Sequence, residues 1–174
     1  MDTPSKLNVL IVDDSAAMRS LIKTILQAHF DVARIFEAGD ARHAFDTFAK
    51  AEVDLILTDI VMEPVDGLEL IRQVRAIDDA QRRKVPIIAV TGYSTRTMVE
   101  RLRDMGVHEV LTKPVTIQAL LDRIHSVFER PRDFIEGGDF YGPDRRRRTD
   151  DSRTGPERRG SLFLDDEIPD DSAA

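Results

Sequence analysis

Cysteine is absent from the chain. This excludes disulfides, thiolate zinc sites and cysteine nucleophiles together, and it suits a reducing compartment. Long apolar runs are absent too. The stretches 9–12, 55–57 and 87–90 fall far short of the roughly 18 residues that span a bilayer. No apolar h-region follows the opening Met-Asp-Thr-Pro-Ser-Lys, so a secretory signal is not expected and a cytoplasmic setting is. Positive charge is in short supply: 25 Lys+Arg against 32 Asp+Glu leave a formal net charge of -7. That balance argues against a nonspecific binder of nucleic acid or anionic membrane. There is no Gly-x-Gly-x-x-Gly and no Walker loop. The four histidines, His29, His43, His108 and His125, are too scattered to form a metal cluster.

The chain has 174 residues, 41% hydrophobic and 33% charged, which is one ordinary domain or a smaller domain with a tail. Composition shifts near residue 130. Beyond it the large apolar residues are Phe134, Ile135, Phe140, Tyr141, Leu162, Phe163, Leu164 and Ile168, set among Gly, Pro, Ser, Asp and Arg. Such a segment buries too little apolar surface to offset its ordering entropy. The expectation is a domain over 1–130 and a mostly disordered Arg/Asp/Gly/Pro-rich tail over 131–174.

Within the first 130 residues, short apolar runs alternate with helical stripes. Strands are expected at 7–12, 32–36, 54–58, 86–91 and around Val110-Leu111. Between and after them, Met18, Leu21, Ile22, Ile25 and Leu26 keep helical spacing behind a Ser15 cap, as do Ala41, Ala44, Phe45 and Phe48. So do Leu68, Ile71, Val74 and Ile77 after Asp66-Gly67, then Met98, Leu102 and Met105 before Gly106, and last Ile117, Leu120, Leu121, Ile124, Val127 and Phe128. Strands that are apolar throughout fit a sheet covered on both faces. Five such units with right-handed crossovers give an α/β, doubly wound parallel sheet of five strands flanked by five helices.

Sites in such sheets lie beyond the strand carboxyl ends. There the sequence puts Asp13-Asp14 after strand one, Asp59 after strand three, Thr91-Gly92 after strand four and Lys113-Pro114 after strand five. Taken singly, these are a helix cap, a loop carboxylate, a strand exit and a solvated turn. Together and in order they form a set. Three carboxylates repel one another and invite a divalent cation, and hard oxygen ligands in small number suit Mg²⁺. A lysine and a threonine hydroxyl can pair with phosphate oxygens. The missing member is a phosphoryl group, with Asp59 as its acceptor.

The stretches Val-Leu-Ile-Val-Asp-Asp (9–14), Leu-Thr-Asp-Ile-Val-Met (57–62), Asp-Gly-Leu (66–68), Val-Thr-Gly (90–92) and Leu-Thr-Lys-Pro (111–114) resemble the receiver domain of two-component response regulators. The resemblance covers about residues 6–129. It implies a flavodoxin-like sheet of order 2-1-3-4-5. It also implies that a histidine kinase or phosphotransfer protein donates phosphate to Asp59, in a bacterial phosphorelay. By the same resemblance Asp13, Asp14, Asp59 and the Val61 backbone carbonyl hold Mg²⁺, and Lys113 contacts the phosphoryl group. Thr91 moves toward it and switches the surface of helix four, strand five and helix five. Neighbouring residues are Met62, Tyr93, Val110 and Pro114. Two departures stand out. Met62-Glu63-Pro64 displaces the usual proline by one, and Val110 replaces the usual aromatic of strand five. Tyr93, two residues after Thr91, resembles the arrangement in a subset of single-domain regulators. Val61 and Tyr93 as apolar flanks predict slow self-hydrolysis.

The tail is too short and polar for a DNA-binding, cyclase or methylesterase output. Protein contact is therefore the expected output, through helix four, strand five and helix five or through the tail. The tail repeats Gly-Pro-acid-Arg-Arg at 142–146 and 155–159, which reads as a solvated linker or as a docking peptide for an acidic partner. Asp144, Asp150 and Asp151 dilute the Arg145–148 run and weigh against nucleic acid. The Asp150, Ser152 and Gly155 spacing mimics a cyclic-di-GMP motif, but the β-barrel that motif needs is lacking. Three alternatives remain. One is a phosphate sink for a shared kinase. Another is a haloacid-dehalogenase-like phosphatase, which wants an Asp where Val61 stands. The last is a pseudo-receiver, against which the complete acid, Thr and Lys set speaks.

Overall fold

The computed structural model describes residues 6–63, 66–92, 95–130, 132–137 and 140–144. The strands are β1 (Leu7–Val12), β2 (Val32–Ala38), β3 (Leu55–Asp59), β4 (Ile87–Thr91) and β5 (Glu109–Thr112). The helices are α1 (Ala16–His29), α2 (Ala41–Lys50), α3 (Gly67–Ala76), α4 (Arg96–Asp104) and α5 (Ile117–Glu129), with a 3-10 turn at Arg82–Lys84. The sheet is parallel, in the order β2-β1-β3-β4-β5, as expected. Among the described residues no helix is long and apolar enough to cross a membrane.

Period-two alternation along each strand builds two cores. Leu10, Val12, Ile56, Ile87 and Ala89 pack with Ala44, Phe48, Leu70, Ile71 and Leu102 of α2, α3 and α4. Val9, Ile11, Leu55, Leu57, Ile88 and Val90 pack with Ile22, Ile25, Leu26, Leu120 and Ile124 of α1 and α5. With both faces covered, the central strands β3 and β4 are buried along their whole length and read as near-continuous apolar runs, whereas the edge strand β2 carries Arg34 and Glu37.

Each βα loop ends on a capping side chain. Ser15, Asp40, Asp66, Thr95 and Thr116 accept from the amides of Met18, His43, Glu69, Met98 and Ala119. These side chains satisfy orphan donors and fix where each helix begins. At the other end of α4, Gly106 has φ +85, a conformation that favours glycine.

β3 begins one residue later than expected, at Leu55 rather than Asp54. The Asp54 side chain instead accepts from the Asn8 amide at 2.7 Å, closing the strand's entry. The shift makes Asp59 the last residue of the strand.

A larger difference lies beyond residue 130. Residues 134–137 and 140–143, read from composition as tail, pair as an antiparallel hairpin of β6 (Phe134–Gly137) and β7 (Phe140–Pro143). It packs on α4 and on the loops that enter β4 and β5. Phe134 lies 5.3 Å from the His108 ring and 5.4 Å from the Arg75 guanidinium, and Arg83 stacks 4.1 Å over Tyr141. Arg132 pairs with Glu109 at 2.9 Å. These rings cover arginine and histidine surfaces rather than aliphatic ones, so a count of apolar residues misses the contact. The Arg145–148 run and the second Gly-Pro-acid-Arg-Arg unit lie outside the described residues.

Candidate functional site

β1 and β3 are hydrogen-bonded neighbours, with Val12 opposite Thr58. Their carboxyl ends therefore deliver Asp13 and Asp59 side by side. One carboxylate oxygen from each of Asp13, Asp14 and Asp59 lies within 4.8 Å of the others. Asp13 and Asp59 are buried and Asp14 is exposed, so the cluster opens to water through Asp14.

β5 brings the counter-charge. Thr91 pairs with Thr112 in the β4–β5 ladder, and the Lys113 amide donates to the Thr91 carbonyl at 2.8 Å. Lys113 Nζ then reaches Asp13 Oδ2 at 2.9 Å and Asp59 Oδ2 at 2.5 Å. Burial pulls the Lys113 pKa down, but the hydrogen bonds to Asp59 and Asp13 outweigh it and the net shift is upward. The lysine stays a cation, bridging two carboxylates that would otherwise repel.

The remaining lone pairs are partly engaged by backbone. The Ser15 amide donates to Asp13 Oδ1 at 2.8 Å, and the Val61 amide donates to Asp59 Oδ1 at 3.1 Å. Three hard carboxylates with one exposed member fit Mg²⁺, which keeps several of its waters and takes few protein oxygens. Asp13, Asp14 and Asp59 are the residues that would hold it.

The other expected residues also find places. Thr91 is fully buried at the end of β4, one position past Val90, the ladder partner of Asp59. Val61 is 55% exposed beside the cluster, whereas Met62 is buried in the core formed by α2, α3 and α4. Val110 packs half-buried against that same core. Pro114 follows a cis peptide bond from Lys113. Tyr93 and Pro64 lie outside the described residues.

Three contributors escaped the sequence reading. Arg19 donates to the Asp13 carbonyl at 2.7 Å and pairs with Glu37 of β2 at 3.6 Å, tying the acidic loop to the next strand. Thr58 donates its hydroxyl to the Asp59 carbonyl at 2.8 Å. Gly67, read as a helix start and as part of the matching Asp-Gly-Leu stretch but given no role of its own, allows a close approach: a Cβ there would lie 2.0 Å from the Asp59 carbonyl oxygen. The one available signal was Arg19, a charge on a helix turn directly after the paired acids.

Comparison with known proteins agrees with this geometry. A family model described as the response regulator receiver domain matches residues 9–125. The chain is 32% identical over 124 residues to chemotaxis protein CheY of Pseudomonas aeruginosa, covering 71% of this chain and 98% of that one. It is 31% identical over 132 residues to transcriptional regulatory protein PdtaR of Mycobacterium tuberculosis, covering 74% of this chain and 61% of that one. Among solved structures it superposes on chemotaxis response regulator CheY4 of Vibrio cholerae with a TM-score of 0.63 and 28% identity. That match covers 70% of this chain and 98% of the other. The hairpin lies after the span matched by the family model.

Proposed function

The chain belongs to the response regulator receiver domain family, and from that premise we propose that Asp59 accepts a phosphoryl group in a Mg²⁺-dependent reaction that switches protein–protein contacts. The observation that carries this reading is Lys113 Nζ between Asp13 and Asp59 within the three-carboxylate cluster. The donor is a phosphohistidine of a histidine kinase or phosphotransfer protein. An Asp59 carboxylate oxygen attacks phosphorus, the P–N bond breaks, and its electron pair leaves with the imidazole nitrogen. Mg²⁺, when bound by Asp13, Asp14, Asp59 and the Val61 carbonyl, would neutralise charge on the phosphoryl oxygens. Lys113 exchanges a carboxylate oxygen for a phosphoryl oxygen, so its charge stays paired throughout. Thr91, at the neighbouring strand end, moves toward the new phosphoryl group and carries the change to α4, β5 and α5, where a downstream protein binds. Val61, exposed beside Asp59, holds apolar bulk where an attacking water would stand, and it offers no acid for a phosphatase cycle. Self-dephosphorylation is therefore slow.

Intact mass after incubation with acetyl phosphate tests the reading. The expected result is one phosphoryl adduct that needs Mg²⁺, is absent from Asp59→Asn, and decays over minutes or longer rather than seconds. A folded protein that takes no phosphoryl group from acetyl phosphate or from phosphohistidine donors overturns it.

A further inference from the structure

At the amino end of the strands, opposite the acidic cluster, a groove of about 240 Å³ opens between α5, the 3-10 turn and the hairpin. Pro86, Val127, Phe128 and Phe134 give it apolar walls, and Lys84 and Arg132 add two cations. Lys84 has no ion pair among the described residues. Arg132 meets Glu109 through a single nitrogen, NH2. Asp133 also lines the groove. An occupant that fits carries an apolar anchor beside carboxylates.

The chain itself contains such a segment. Residues 162–167 read Leu-Phe-Leu-Asp-Asp-Glu, three apolar anchors followed by three acids. The chain leaves the described structure next to the groove, because the Asp144 amide donates to the carbonyl of the groove residue Asp133 at 2.7 Å. Phe163 stands nineteen positions after Asp144, and a flexible linker of that length has a root-mean-square reach of about 25 Å. A tether matched to so short a span gives an effective concentration on the order of millimolar, which lets a weak contact form. We propose that this groove is the docking site of the chain's own acidic segment, residues 162–167, folded back in cis. Phe163 enters between Phe128 and Phe134, and Asp165 and Asp166 face Lys84 and Arg132. The proposal does not depend on phosphorylation of Asp59.

The absence of cysteine makes a single spin label straightforward. The full chain carrying Ser161→Cys, labelled with a nitroxide and ¹⁵N, is measured at high dilution. The expected result is loss of most amide peak intensity at Lys84, Val127, Phe128 and Arg132, with Ala38 and Gly39 at the other end unaffected. Phe163→Ala, which touches no described contact, restores the lost intensity. Lys84→Glu does the same, and Asp165→Lys combined with Lys84→Glu brings the broadening back. Three results overturn the proposal: even broadening over the surface, broadening centred on residues 145–148, or broadening seen only when labelled chains are mixed with separate ¹⁵N chains. The last would assign the groove to a second copy.

Discussion

Arg75 is a cation buried without a carboxylate beside it among the described residues. Its guanidinium donates to the carbonyls of Gly106, Arg83 and Val85 at 2.6 to 3.1 Å. Burial lowers its pKa to about 9, which still leaves it charged at neutral pH. One side chain thus joins the end of α3 to the loops that enter β4 and β5. Arg75→Ala strands three carbonyls, each costing about 1–3 kcal/mol if left dry. With water relieving part of this, urea titration should show a loss of about 3 kcal/mol. Arg75→Lys should recover only a fraction, because an ammonium cannot reproduce the planar fork. His108 beside it is buried and accepts the Ile87 amide on Nδ1 at 3.2 Å. Burial first, then Arg75 and Arg132, hold its pKa well below the ordinary histidine value of 6.5. The unfolded chain therefore takes up this proton at higher pH than the folded chain. The stability tied to His108 is complete above the ordinary value and drains as pH falls through that value and below it. His108→Gln should flatten that slope in urea midpoints measured across this window.

At the scale of elements, the β6–β7 hairpin contributes through rings laid on cations. Tyr141→Ala removes the stack on Arg83 and should lower stability by about 1–2 kcal/mol. The extent of phosphoryl adduct formation from acetyl phosphate should stay unchanged, because the hairpin sits at the opposite strand ends. The five strands and five helices were legible in the sequence because their signals are local: apolar runs such as 87–90, the stripe through Ile117, Leu120 and Ile124, and the Ser15 cap. The site was legible because Asp13, Asp14, Asp59 and Lys113 stand at strand ends, where topology alone gathers them. The hairpin was not, since Phe134 and Tyr141 find their partners in Arg75 and Arg83, about 60 residues away in the chain, and no local pattern announces such a pairing. Gly67 escaped for a similar reason, because only the folded loop shows the Asp59 carbonyl pressed against it.

For the whole molecule, the sheet is shared by two cores that have no face in common. Leu10 belongs to one and Ile11 to the other, and both are fully buried. Leu10→Ala and Ile11→Ala should each cost about 2–5 kcal/mol. Each variant should still unfold in a single transition, with far-ultraviolet dichroism and tyrosine fluorescence coincident, because neither core can be lost while the sheet survives. The strands also set a distance. Five residues of β4 separate the loop under the hairpin from the strand end beside Asp59, about 17 Å of extended chain. That length has an evolutionary reading. Substitutions in the hairpin fall beside Arg75, Arg83 and His108, at the pole away from the Asp13, Asp14 and Asp59 carboxylates. A gene copy can therefore exchange one hairpin for another while inheriting the carboxylate cluster intact, and lineages can diversify at one pole of the domain under little constraint from the other.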